Sequence, residues 1–355
     1  MRWRILFLAL VLCASGCANR NEEARAQIAS MVHEIVPVDR TERLAFRAEM
    51  RELLANQRYA RLAAIADSLR RTHAEFGDAK YGVSEFVSAF SLTSTPYEKD
   101  SEAWLASLRD LERWRAAVPA SPLPDVALAQ TFVNLAWKAR GGGYSFTVRD
   151  TGWAGFDSAL KRARDVLDTA ATKRPLGIEW YLVSQRVALG QGWPSDESQK
   201  LFESAIACDS TCTLAYWQRA DYLLPRWYGQ PGEWEAWLER AVRPLPPDEA
   251  DRVYAAVCVE MSHFHRNLYE EAQLSWPRIH HGLVVSLRRH PDSQTLLQEF
   301  AFNAVMAGDV HTAHEMLRLT GPRFDVDVWR SRRAFSDLYI YVQASDADVT
   351  TASTH

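Results

Sequence analysis

Arginine and tryptophan recur together at two places in this sequence, a pairing suited to gripping a partner. Arg226, Trp227 and Tyr228 fall in a loop bounded by Pro225 and Gly229, and Trp234 and Trp237 stand three residues apart on the helix expected after it. Exposed Trp and Tyr beside Arg make a platform for a peptide or a sugar face. The alternative is a satellite core that holds the long loop down, with Trp237 reaching the loop aromatics. Upstream, Arg140 precedes Gly141-Gly142-Gly143-Tyr144. Three glycines end a helix and reverse the chain, and the N–H groups of such a turn can also bind an anion beside Arg140. No Gly-Lys-Ser/Thr follows, so this is not a phosphate loop. Arg226, Trp227, Tyr228, Trp237, Arg140 and Tyr144 are the candidate partner-binding residues.

Other chemistry is less well provided for. Seven of the ten histidines lie between His263 and His314. Glu260 with His263, and His311 with His314, are one helical turn apart, but no H-E-x-x-H element or clear third ligand accompanies them. There is no Gly-x-Ser-x-Gly elbow and no strand scaffold to carry one. No catalytic residue, metal site or cofactor motif is assigned. The competing class is a cell-envelope enzyme, metal-dependent or acting on cell-wall material, with its site in the His-rich segment 263–314. Cys208 and Cys212 flank Ser210 at a helix junction: they form a small disulfide if their Cα atoms come within about 7 Å, or remain two free thiols. Cys258 falls in an apolar run and is expected to be buried.

These residues must be positioned by helices. Ser107, Leu111, Trp114 and Pro119 stand at offsets 0, +4, +7 and +12; so do Ala163, Leu167, Ala170 and Pro175, Trp234, Leu238, Ala241 and Pro246, and Ile279, Leu283, Ser286 and Pro291. Ser198, Phe202, Ala205 and Ser210 repeat the pattern with Ser as the stop. The first three offsets share one helical face, and the proline forbids continuation. Each unit therefore reads as a helix that packs and then ends. A second helix follows in phase at Leu128, Ala129 and Phe132, and at Tyr216, Ala220 and Leu223. Leu297, Phe300, Ala301 and Ala304, the Gly308-Asp309 turn, then Ala313 and Leu317 resemble a tetratricopeptide (TPR) repeat. The fold class expected is all-α, with TPR-like antiparallel helix pairs in a right-handed superhelix over residues 40–343. Two intervals are too long for the repeat. The first, Pro119 to Pro175, holds the glycine turn and an aromatic insertion from Tyr144 to Phe156; the second, Pro246 to Pro291, holds His263 and His265. Strand-like alternation is rare, with Tyr339-Ile340-Tyr341-Val342 the best short candidate.

Composition and the first residues bear on location. A 47% hydrophobic content supports a sizeable core, and a formal charge of −4 with no basic stripe argues against nucleic acid as a partner. Arg2 and Arg4 precede a short apolar run, Ile5 to Leu12, followed by Ala14-Ser15-Gly16-Cys17. The run is too short to span a bilayer and suits a signal peptide. The tetrapeptide resembles the bacterial lipobox, with Ala14 where Leu is usual, and implies a signal peptide over 1–16 and lipidation at Cys17. Residues 17–39 then form a lipidated tether that holds the protein at a membrane, and no Asp follows Cys17 to suggest inner-membrane retention. A small, polar, disordered tail is expected over 344–355.

Two local motifs carry a family resemblance. Ala136-Trp137-Lys138-Ala139-Arg140-Gly141-Gly142-Gly143-Tyr144, followed by Gly152-Trp153-x2-Phe156, is one. Tyr222-Leu223-Leu224-Pro225-Arg226-Trp227-Tyr228-Gly229, followed by Glu233-Trp234-Glu235, is the other. Together they resemble the bacterial family called domain of unknown function 4034, over residues 45 to 320. That resemblance implies an exported or membrane-associated helical domain and supplies no catalytic residues. The sequence thus reads as a membrane-anchored scaffold for a protein or peptide partner in the cell envelope.

Overall fold

A computed structural model of the protein describes residues 33–34, 38–91, 102–143, 145–264, 267–272, 274–321, 323–329 and 331–352. Cys17 and the expected signal peptide, Tyr144 and His265 lie outside them. The fold is all-α. Strand structure among the described residues is limited to two dipeptides, His33–Glu34 (β1) and Arg323–Phe324 (β2), paired in parallel with His33 opposite Arg323.

The helices form two compact units. The larger spans Val38–Ser293. It contains α1 (Val38–Ala55), α2 (Tyr59–Thr72), α3 (Gly82–Ser88), α4 (Glu102–Ala117), α5 (Leu123–Arg140), α6 (Asp150–Ala171) and α7 (Ile178–Gln191). There follow α8 (Ser195–Cys208), α9 (Thr213–Tyr222), α10 (Glu233–Ala241), α11 (Pro247–Ser262), the one-turn α12 (Leu268–Glu271) and α13 (Trp276–Arg289). Consecutive helices pack in pairs: α4 on α5, α5 on α6, α7 on α8, α9 on α10 and α11 on α13. Helices α5, α7, α9 and α11 also touch one another in succession, which makes them a continuous row.

The repeated offsets account for this packing. All the face positions are buried except Ser107 and Ala241, which are half-buried. Trp114, Ala163, Ala170, Ala205, Trp234, Leu238 and Ile279 are almost wholly enclosed. Small residues let the backbones approach, and large ones one turn away fill the grooves. Each unit ends where its stop residue requires: α4 before Pro119, α6 before Pro175, α8 before Ser210, α10 before Pro246 and α13 before Pro291. Those ends and the starts of α5, α7, α9 and α11 share one edge of the unit, here called the stop edge. The insertion expected from Tyr144 to Phe156 is mostly helix: after a 3-10 turn at Ser145–Thr147, α6 begins at Asp150 and buries Phe156.

The smaller unit comprises β1 and the residues from Gln294 onward. Helices α14 (Gln294–Met306) and α15 (Val310–Thr320) pair with Leu297, Phe300, Ala301, Ala304, Ala313 and Leu317 buried. Gly308 supplies the left-handed turn between them at φ +80. Gln298 then organises the next segment: its Oε1 accepts from the Asp325 N–H at 2.8 Å and from Trp329 Nε1 at 2.8 Å. Helices α16 (Val326–Trp329) and α17 (Arg332–Ala352) complete the unit. One expectation is corrected here: Tyr339 to Val342 is helical, within α17, which no Pro or Gly interrupts.

Candidate functional site

The two motifs, distant in sequence, meet on the row of helices opposite the stop edge. Trp137 and Arg140 come from the last turns of α5, where Gly141 at φ +74 donates its N–H to the Trp137 carbonyl at 3.0 Å and releases the chain. Trp153 comes from the first turn of α6. Arg226 and Trp227 lie in the 223–232 loop. That loop folds back tightly through hydrogen bonds from Trp227 N and Gly229 N to the Leu224 carbonyl, at 2.8 and 3.3 Å. A Cβ on Gly229 would lie 1.8 Å from the Leu223 carbonyl oxygen, so only glycine fits this reversal.

The rings and guanidinium groups interleave. Trp137 and Trp227 meet edge to face, with centroids 5.7 Å apart. The Arg140 guanidinium carbon lies 5.9, 5.4 and 5.5 Å from the centroids of Trp137, Trp153 and Trp227. Arg186 of α7 sits 4.9 Å from the Trp137 ring and 5.5 Å from the ring of Trp217 on α9. Arg226 covers Phe264 at 3.8 Å and Trp227 at 5.7 Å. These are cation–π distances. Arg226 and Phe264 are exposed, while Trp137, Arg140, Trp153, Arg186, Trp217 and Trp227 are half-buried.

One carboxylate serves this group. Asp221, on α9, accepts from Arg186 at 3.0 Å through one oxygen. Through the other it accepts from Arg226 at 2.9 Å and Trp227 Nε1 at 3.2 Å. Among the described residues Arg140 donates to backbone, reaching the Gly141 and Gly143 carbonyls at 3.2 Å each. Its Nε, the Trp137 indole N–H and the Trp217 indole N–H are buried without a hydrogen-bond acceptor among the described residues. Burial, reinforced by the Arg226 charge, lowers Arg140 below the ordinary arginine pKa; it remains charged at neutral pH. The cluster is rich in donors and short of acceptors.

Other candidates fall elsewhere. Trp237 is corrected from surface to core: it is 7% exposed, its ring packs on Phe202 at 4.9 Å and its Nε1 donates to Gln199 at 3.1 Å. The reason is a broad inward face on α10, which buries Trp234, Trp237 and Leu238 together. Tyr228 keeps an exposed side, but its hydroxyl donates to the Leu189 carbonyl at 3.0 Å and its ring leans on Tyr222 at 4.8 Å. It fastens the loop to the end of α7. Of the two alternatives for Cys208 and Cys212, the structure shows free thiols. Asp209 turns the chain between them by accepting from the Thr211 N–H at 2.9 Å, which leaves Cys208 exposed and Cys212 beneath the start of α9. Cys258 is buried as expected.

The stop edge carries a second polar feature, a cavity of about 300 Å³ lined by His73, Glu75, Tyr81, Asp209, Arg289 and His290 among others. Here the charges are matched. His73 Nδ1 lies 2.6 Å from Asp209, and His290 Nε2 lies 3.1 Å from Glu75. Buried Arg252 reaches Glu75 at 3.3 Å, Glu249 at 3.0 Å and the Thr211 carbonyl at 2.8 Å. Burial would raise the Asp209 pKa, but hydrogen bonds from Thr211 and His73 outweigh it and hold the carboxyl below its usual range. Of the remaining histidines, His281 pairs with Asp251 at 3.0 Å and His280 meets Trp276 at 5.8 Å. No group of three or more His, Cys, Asp or Glu among the described residues is placed to hold a metal.

Arg186, Trp217, Asp221 and Phe264 were absent from the sequence-derived candidates. No family model, curated protein or solved structure matches the chain.

Proposed function

We propose that this chain is a lipid-anchored scaffold of TPR-like helix pairs, wound as a right-handed superhelix, that captures a protein or peptide partner in the bacterial cell envelope. The observation that carries the reading is the convergence of the two motifs. Arg140, Trp137 and Trp153 from one, with Arg226 and Trp227 from the other, form a single partly exposed surface. Aromatic residues and arginine are the types that dominate binding energy at protein interfaces. The resemblance to domain of unknown function 4034 rests on these same two segments and agrees with an exported helical domain. Cys17 supplies the anchor in this reading, and the protein sits at the outer membrane facing the periplasm. Among the described residues no helix is long and apolar enough to cross a membrane.

A photo-crosslinking residue placed at Phe264 tests the binding surface inside cells. The reading expects a discrete adduct from this position and none from Asp168, on the outer face of α6. Equal adducts from both positions, or none from Phe264, would reject it. For the anchor, Cys17→Ser should abolish fatty-acid labelling and move the protein into the soluble fraction.

A further inference from the structure

We infer that the arginine–tryptophan surface receives a carboxylate of an acidic peptide, with Arg140 and Arg226 as its two holders; this rests on the partner-binding reading. Arg186 and Arg226 share the one carboxylate of this cluster among the described residues, Asp221, and both its oxygens are already engaged. No Asp or Glu among the described residues lies within ion-pair distance of Arg140, whose polar contacts are two neutral carbonyls. Two positive charges therefore remain uncompensated in a half-buried setting, where like charges repel more strongly than in water. An incoming carboxylate relieves that repulsion and gives the Arg140 fork an anionic acceptor.

Aromatic walls decide what carries the carboxylate. Trp153 and Trp227 flank Arg140, and Phe264 lies beside Arg226 with 41% of its surface exposed. These walls offer apolar contact to the body of a ligand, which a bare inorganic anion would leave unused. A segment with Asp or Glu next to Phe, Leu or similar residues satisfies both demands. Basic and purely polar segments satisfy neither.

The stop-edge cavity is not an equivalent site. Each of its main charged groups already has a close polar partner: Asp209 with His73, Glu75 with Arg252 and His290, and Arg289 with Glu249. An anion there would have to displace a native carboxylate.

The test uses full-length protein labelled with ¹⁵N at the tryptophan indoles. It is titrated with a pool of hexapeptides that alternate Asp or Glu with Phe or Leu, and with the matching Asn/Gln pool. We expect the acidic pool to bind at least tenfold more tightly and to shift the Trp137 and Trp227 indole resonances. Trp180 and Trp237 should stay still, because they lie outside the cluster, bonded to the Leu167 carbonyl and to Gln199. The preference should collapse in Arg140→Gln and in Arg226→Gln, the second altering an exposed side chain. Equal affinity for both pools would overturn the carboxylate assignment while leaving partner capture standing, as would failure of both pools beside a positive Phe264 crosslink. Displacement of the acidic pool by an equal concentration of inorganic phosphate would overturn it in favour of phosphate. Failure of both the pools and the crosslink would reject the parent reading too.

Discussion

The two edges of the larger unit are built from the same helices yet treat charge in opposite ways. On the stop edge, each of the main carboxylates faces a basic side chain. Asp125 is wholly enclosed between Arg115, at 2.7 Å, and Lys173. Glu179 is equally enclosed and accepts from Arg70 Nε at 3.1 Å, and Arg252 links Glu75 to Glu249. On the opposite edge, among the described residues, Arg186 and Arg226 share Asp221, Arg140 meets no carboxylate, and three buried N–H groups lack acceptors. Unmatched donors are costly in a folded chain unless something outside it completes them. The matched edge therefore holds the helix pairs in register, and the unmatched edge is where a ligand adds most.

That contrast can be broken from the stabilising side first. Arg252→Ala removes the buried guanidinium that Glu75 and Glu249 share, leaving Glu75 with His290 and Glu249 with Arg289 alone. It should lower the unfolding free energy by about 3–5 kcal/mol in denaturant titrations. Trp237→Ala belongs with it, at about 3–5 kcal/mol for emptying a core site. A Trp237 variant as stable as the parent would return that residue to the surface. Asp209→Asn should cost about 1.5–3 kcal/mol at neutral pH, as the loss of charged hydrogen bonds. Because folding lowers the Asp209 pKa, its stabilisation is complete above the ordinary carboxylate value of about 3.9. It fades as pH falls through the folded-state value. Urea unfolding of parent and variant should show a gap at neutral pH that closes below about pH 4. The smallest effect is expected from reductant: with Cys208 and Cys212 as free thiols, dithiothreitol should leave the melting temperature unchanged.

Much of this architecture is written in local periodicity. Offsets of 0, +4 and +7 specify burial because a helix returns to the same face every 3.6 residues. Hence the packing of Leu111, Leu167, Phe202, Leu238 and Leu283, and the positions of their stops, can be read directly. Gly141 was legible for a similar local reason, since a left-handed residue is needed where α5 ends. Periodicity is silent about which distant charges meet. Nothing local to Glu75 points to Arg252 or His290, and nothing local to Arg140 points to Trp227. Trp237 was misread because a +3 spacing from Trp234 serves an exposed platform and a wide buried face equally well. The site was half visible, as two motifs rich in Arg and Trp. Its central carboxylate, Asp221, came to light only with the folded geometry.

The central claim is that the unmatched edge binds and the matched edge holds the fold. It is tested most directly by one pair of readings on Arg140→Gln: affinity for the acidic hexapeptide pool and melting temperature, taken on the same sample. The account predicts at least a tenfold loss of affinity with a stability change below about 1 kcal/mol, as for an arginine that bridges no buried carboxylate. Unaltered affinity, or a loss that appears only as the protein unfolds, would contradict it.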